Sequence, residues 1–404
     1  MSAVLDRVLA AARKLGASDV HLKAGLPPIF RIGGELRTVR DVPAVTKEAI
    51  GAFAANMMTD RQREEFERAY DCDLAYQSPD GTRYRVNVFQ QRGTLGMVMR
   101  LIPPEVPAFE TLLLPNVILK LAEESRGLIL VTGITGSGKS TTLASMVDYI
   151  NARQACHIVT IEDPIEYAFR DRRSVVNQRE LGLDTISFAR ALRASLRQDP
   201  DVILVCEMRD LETCEIAMTA AETGHLVMST LHTVDAVETI NRIISIFPPH
   251  QQGHVRIQLA AIIKGVISQR LIPRADGKGM VPAVEIMVST QRIRELIVEP
   301  KRTVEIHDAI ATGRHPYGMQ SFDQALTELV HKKLISYEEA VKAASNADDF
   351  ALHFKGIQTG SSNESAADFM RDQQAAVRKQ AGGAPPAQGG QPDPGFQIDR
   401  FGKE

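Results

Sequence analysis

Gly133-Ile134-Thr135-Gly136-Ser137-Gly138-Lys139-Ser140 satisfies the pattern GxxxxGK[ST], and its neighbours supply the context which that pattern needs. Residues 128–132 (Leu-Ile-Leu-Val-Thr) form a short apolar run that reads as a buried strand. Residues 140–150 follow directly at helical periodicity. Glycine admits positive φ and keeps side chains out of the loop, so successive backbone N–H groups can turn toward one anion. The start of the helix adds unpaired N–H donors and the positive end of a dipole. Strand, glycine loop and helix in this order make a cradle for a triphosphate, with Lys139 placed for the β- and γ-phosphates and the Ser140 hydroxyl for Mg²⁺. The candidate ATP contacts are Gly133, Thr135, Gly136, Ser137, Gly138, Lys139, Ser140 and Thr141.

Outward from the loop, apolar runs alternate with helical stretches. Residues 157–161, 202–205 and 226–230 resemble 128–132 in being apolar on both faces, as in a parallel sheet covered by helices. An α/β domain is therefore expected over 111–356, with residues 285–350 mostly helical. Hydrolysis needs a carboxylate that orients or deprotonates water. Glu207 follows the run 202–205 and is expected at the C-terminal edge of the sheet, where ligands bind in open α/β folds; the alternative is a helix cap. A second acidic group, Glu162-Asp163-Pro164-Ile165-Glu166, follows the run 157–161. It suits Mg²⁺, or is solvated loop charge. His225 and His232 bracket the run 226–230, either as phosphate-facing donors or as structural histidines.

The first hundred residues have another texture. A helix with apolar residues from Val4 to Leu15 stops at Gly16, and strands are expected at 19–23, 29–32 and 35–39, the last two joined by Gly33-Gly34. A helix over 47–69 precedes strands at 71–77, 82–90 and from Arg92-Gly93 to Leu101. Helices with antiparallel hairpins predict a small α+β domain over 1–101. The prolines of Ile102-Pro-Pro-Glu-Val-Pro107 suit neither a helix nor a central strand, so 102–110 reads as a linker. From 357 to 404 Gly, Gln, Pro, Ser and Ala prevail, and disorder is expected. No internal repeat is apparent.

The 404 residues carry a net charge of −3 and only 5% aromatics, which offers little to nucleic acid and disfavours a nucleic-acid translocase built on the same scaffold. The four cysteines, Cys72, Cys156, Cys206 and Cys214, lack ligand spacing. No apolar run approaches the ~18 residues that span a bilayer, and Asp6, Arg7, Arg13 and Lys14 interrupt any secretory signal. The expectation is a cytoplasmic protein whose membrane contact runs through partners.

Four motifs together resemble the secretion-superfamily ATPases of type II and type IV systems. They are the Walker A loop 133–140, the aspartate box Ile161-Glu-Asp-Pro-Ile-Glu-Tyr167, the Walker B segment 202–210, and the histidine box Thr223-Gly-His-Leu-Val-Met-Ser-Thr-Leu-His-Thr233. The resemblance covers about residues 1–355 and implies a PAS-like domain followed by a RecA-like ATPase domain. It further implies a homo-hexamer with ATP between domains, working at the inner membrane on a pilus platform protein. Glu207 would be the catalytic glutamate, Glu162 and Asp163 would serve Mg²⁺ or the water, and His225 and His232 would fill the histidine-box positions. N-terminal arginines would approach the phosphates; Arg83 and Arg85 fit, on one face of their strand opposite Tyr84 and Val86. Ile134 and Cys206 depart from the proline and glycine usual at their positions. The absence of a four-cysteine zinc insertion and of a longer N-terminal region points to the branch that retracts pili. Arg292-Ile-Arg-Glu-Leu-Ile-Val-Glu299 keeps part of a helix resembling AIRNLIRE, typical of that branch.

Overall fold

Hairpins joined by short turns force antiparallel pairing, whereas strands separated by helices permit parallel pairing, and this chain contains one antiparallel sheet and one mostly parallel sheet. The computed structural model describes residues 3–39, 42–103, 105–359 and 398–400. It divides into two compact units: the chain up to Glu105 with Glu166–Ala168 and the segment from Pro386, and Val106–Ile165 with Phe169–Pro385.

The first unit contains α1 (Ala3–Lys14), β1 (Asp19–Lys23), β2 (Ile29–Ile32), β3 (Glu35–Val39), α2 (Lys47–Met57), α3 (Asp60–Ala69), β4 (Asp71–Gln77), β5 (Arg83–Gln91) and β6 (Thr94–Leu101). Gly33 and Gly34, with φ of 58° and 85°, make the β2–β3 turn, as glycine alone does without strain. Along β5, Tyr84, Val86 and Val88 are buried while Arg85 is exposed. The single helix expected over 47–69 is two helices. Met58 leaves helical geometry, and Thr59 starts α3 with a capping box shared with Gln62. Two orphan donors gain partners at that break, which offsets the interruption.

The second unit is built on seven strands ordered β13-β12-β7-β11-β10-β8-β9. They are β7 (Gly127–Thr132), β8 (His157–Glu162), β9 (Val175–Glu180), β10 (Val202–Val205), β11 (Leu226–Leu231), β12 (Ile263–Pro273) and β13 (Met280–Val288). All neighbours pair in parallel except β12 with β13. Leu128 and Leu130 of β7 enter one core and Ile129 and Val131 the other, so both faces are sealed. The helices are α4 (Val117–Ala122), α5 (Lys139–Arg153), α6 (Phe188–Ser195), α7 (Leu211–Glu222), α8 (Ala236–Ile246), α9 (Gln252–Ile262), α10 (Gln291–Val298), α11 (Ile306–Thr312), α12 (Arg314–Tyr317), α13 (Phe322–His331), α14 (Tyr337–Ala343) and α15 (Ala347–Thr359).

Three strands, β9, β12 and β13, lie outside the apolar runs singled out in the sequence, and β13 extends into the stretch expected to be helical. Of the tail expected to be disordered, residues 357–359 end α15. Residues 398–400 form β14 (Ile398–Arg400), antiparallel to β3, and the remainder lies outside the described residues.

Glu285 of β13 is 3% exposed, and its Oε1 accepts the Ala236 N–H at 2.9 Å. Burial, reinforced by the Asp235 and Asp323 charges, outweighs that bond and Arg270, and pushes its carboxyl from 4.5 up to about 7. A carboxyl with a raised folded pKa binds more protons folded than unfolded, so its contribution to stability is full below about 4.5 and is lost as the pH rises through about 7. Glu285→Gln keeps an acceptor for Ala236. It is expected to stabilise the fold at pH 8 by about 1–3 kcal/mol, and by less at pH 5, in urea unfolding. An equal effect at both pH values contradicts this.

Candidate nucleotide site

β7 ends at Thr132, and the loop that follows turns on glycine. Gly133, Gly136 and Gly138 have φ of 141°, 79° and 89°. Two of them are also hemmed in. A Cβ on Gly133 would collide with the Gln269 carbonyl and lie 2.6 Å from Ser137 Oγ; one on Gly138 would lie 2.8 Å from Gln269 Nε2. Helix α5 begins at Lys139 behind Gly138, which makes no side-chain cap, and so presents the positive end of its dipole at the loop.

The side chains of the loop point to the same ligand. Lys139, 8% exposed, donates through Nζ to the carbonyls of Gly133 and Ile134 at 2.8 and 3.0 Å. Ser137 Oγ is buried and has no hydrogen-bond partner among the described residues. A buried ammonium beside an orphaned hydroxyl at a helix N-terminus suits a phosphate chain. Thr135 and Gly136 are exposed, and Ser140 and Thr141 are half-buried on the first turn of α5.

The loop is braced from β12. Thr142 Oγ1 donates to Gln269 Oε1 at 2.9 Å, and Thr132 Oγ1 to Ser268 Oγ at 3.0 Å. Neither Ser268 nor Gln269 stood out as a site residue in the sequence. The available signal was a polar pair inside β12 next to its apolar stretch Val266-Ile267; the structure shows both nearly fully buried.

Parallel pairing brings the remaining strand ends to the same edge. In register, Thr132 lies opposite Leu231, Ser229 opposite Val205, and Val205 opposite Ile161. Glu207 therefore emerges beside Glu162 on one side and His232 on the other. It does not cap a helix, because the N-cap of α7 is Asp210, whose side chain accepts from Thr213 N. Glu207 Oε2 lies 2.7 Å from Arg209 Nη2 and 3.3 Å from His232 Nε2. Burial pushes the Glu207 carboxyl up, but the hydrogen bond from Arg209 and the nearby positive charges outweigh it and hold the group below the usual carboxylate range. Thr230 Oγ1 donates to the Cys206 carbonyl at 2.6 Å, and Cys206 N donates to Ile161 O at 2.8 Å. Cys206 keeps negative φ, so the position does not require glycine.

Glu162, 8% exposed, accepts through Oε1 from Thr160 Oγ1 at 2.6 Å and Gln178 Nε2 at 2.9 Å. Asp163 opens the following loop. No group of three His, Cys, Asp or Glu side chains among the described residues could hold a metal ion by itself. A Mg²⁺ ion there would depend on phosphate oxygens and water for most of its ligands, as is usual for that ion.

One expected nucleotide contact is misplaced. His225 precedes β11, where its carbonyl accepts from Gly127 N at 3.0 Å and its Nδ1 lies 2.9 Å from the Ala220 carbonyl. Gly127 is the first residue of β7, whereas the loop follows the last. A strand of this length sets His225 about 20 Å from the loop of its own chain, so it does not line that site; only His232 shares the edge. In the first unit, Arg85 Nη2 lies 3.8 Å from Asp73 Oδ2 across the β4–β5 pair. Arg83, half-buried, shares its face.

A family model described as Type II/IV secretion system protein matches residues 1–363. The "Type IV pilus retractation ATPase PilT" of Pseudomonas aeruginosa is 46% identical over 346 residues, covering 86% of this chain and 99% of that protein. A "Twitching motility protein" of Neisseria gonorrhoeae is 44% identical, over 80% of this chain and 86% of its own length. Among solved structures, the pilus retraction motor PilT with bound ADP matches with a TM-score of 0.80 at 47% identity, covering 85% of this chain and 98% of that one.

Because the Gln269 carbonyl is backbone and cannot yield cheaply, Gly133→Ala is expected to weaken binding of a fluorescent ATP analogue at least about tenfold, with the far-ultraviolet spectrum unchanged. Wild-type affinity in that variant contradicts the cradle geometry.

Proposed function

We infer that this chain, which belongs to the Type II/IV secretion system protein family, is an ATPase that powers type IV pilus retraction and hence twitching motility. The observation that carries this reading is the shared sheet edge, where a glycine loop, Lys139 and Glu207 meet, in a chain 46% identical to a PilT over nearly all of that protein.

The chain's own groups suit each part of ATP hydrolysis. Lys139 exchanges its two carbonyl contacts for the β- and γ-phosphates, Ser137 donates its unpartnered hydroxyl, and the N–H groups of the loop and of α5 face the phosphate oxygens. Ser140 and Asp163 would hold Mg²⁺, which neutralises charge on the phosphates. Glu207 accepts a proton from the attacking water, with His232 beside it. Glu162, braced by Thr160 and Gln178, is the further carboxylate assigned to the water or its proton. Arg83 and Arg85 are assigned to positive charge near the triphosphate.

A PAS-like first unit, a RecA-like second unit and a homo-hexamer complete the reading, with the work delivered to a platform protein at the inner membrane. No helix of the described residues is long and apolar enough to cross a membrane. The likeness to a pilus retraction ATPase and to a twitching motility protein favours retraction over the extension branch.

Lys139→Ala is expected to cut ATP turnover at least about 100-fold, and cells carrying it should display pili yet not twitch. Glu207→Gln should still bind ATP while turning over about 10²–10⁴-fold more slowly. Steady-state phosphate release reads both. Normal turnover by folded Lys139→Ala protein contradicts the site, and bald cells contradict retraction.

A further inference from the structure

Both polar contacts of the Glu207 carboxylate fall on one atom. Arg209 Nη2 and His232 Nε2 approach Oε2 at 2.7 and 3.3 Å, while Oε1 receives no hydrogen bond from any described residue. The Glu207 side chain is 13% exposed, whereas the Arg209 side chain is 70% exposed. Arg209 is thus a solvent-side arm laid over a nearly buried acid, not a core cation that needs a partner for folding. The backbone beneath is fixed by the Thr230–Cys206 and Cys206–Ile161 hydrogen bonds, so freedom at this point lies mainly in the Glu207 side chain.

We propose that Arg209 is a positioning residue for hydrolysis, clamping Oε2 of Glu207 so that Oε1 is the atom that takes the proton of the attacking water. The proposal rests on Glu207 being the base. As the water oxygen bonds to the γ-phosphorus, its O–H bond breaks and the proton passes to Oε1. The bond from the γ-phosphorus to the bridging oxygen breaks with its electron pair leaving on ADP, and Glu207 later releases the proton to solvent. A carboxylate does this only while ionised. Burial pushes the pKa of an acid upward, and Arg209 opposes that tendency at the shorter of the two contacts.

The charged and titratable groups around the pair come from three strand ends. They are Arg209 and Cys206 after β10, His232 after β11, Glu162 at the end of β8, and Asp163 just after it, whose charge acts on Arg209. Of these, Arg209 alone combines a permanent positive charge with a bond to the carboxylate. It is also free to let go if an anion competes for it, because its other neighbours hold it only at a distance.

The test is ATP turnover by the full-length protein from pH 5 to 9, measured as phosphate release, for wild type, Arg209→Gln and Arg209→Lys, with Glu207→Gln as control. A base that must be ionised loses activity as the pH falls through its pKa, and Arg209 lowers that pKa, so removing Arg209 should move the acid limb upward. Arg209→Gln is expected to lower kcat about tenfold, to leave KM for ATP within about twofold, and to raise the acid limb by about one pH unit. Arg209→Lys, which keeps the charge but not the planar fork, should bring the limb back toward wild type. An unmoved acid limb in Arg209→Gln overturns the proposal whatever kcat does, since a merely structural loss lowers kcat and leaves the limb where it was. A limb in Arg209→Lys as displaced as in Arg209→Gln also overturns it. Wild-type turnover in Glu207→Gln would instead sink the underlying assignment of the base, separately from the role of Arg209.

Discussion

The parallel register of β8, β10, β11 and β7 is the constraint on which the site depends. Because the four strands run the same way, the chain leaves each of them on one side of the sheet, and the loop, Glu162, Glu207 and His232 collect there. Nothing at the site enforces that register. It is set by packing on both faces: Ile203 and Val205 enter one core, and Val202 and Leu204 the other. A slip of one residue would exchange the faces of a whole strand and carry Glu207 away from His232.

Against that rigid frame the site itself is held by opposed forces. The loop confines a buried ammonium against two carbonyls and leaves the Ser137 hydroxyl without a partner, and both are costly unless an anion completes them. β12 compensates by fixing the loop's shape through Gln269, whose carbonyl faces Gly133 and whose amide lies over Gly138. At Glu207 desolvation favours the neutral acid, and positive neighbours restore the anion. Binding and hydrolysis each exploit a group that the fold alone leaves unsettled.

Much of this was legible in the sequence, and the reasons differ by element. The glycine loop declared itself because residue type and spacing are both dictated by phosphate geometry. Strands β7, β8, β10 and β11 matched their apolar runs to within a residue, since strands covered on both faces lack the regular polar alternation that would blur them. β9 and β12 were obscure because Asn177, Gln178, Arg179, Ser268, Gln269 and Arg270 break the pattern, some of them for the sake of the site. His225 and His232 looked equivalent as brackets of one strand, yet a strand has two ends and the loop occupies only one edge. Arg209 carried no signal, since an arginine among acidic residues is ordinary until its distance to Glu207 is known. The break at Met58 and Thr59 shows the same limit, because helical periodicity continues across it while the capping box decides.

The central claim is that a triphosphate seated on the glycine loop presents its γ-phosphate to Glu207. A crystal structure of the full chain with Mg²⁺ and a non-hydrolysable ATP analogue tests it most directly. The account predicts the γ-phosphate within hydrogen-bond distance of Lys139 Nζ, Ser137 Oγ bonded to the phosphate chain, and a water between the γ-phosphorus and Glu207. A nucleotide lodged elsewhere, or a Glu207 carboxylate facing away from the γ-phosphate with no water between them, would contradict it.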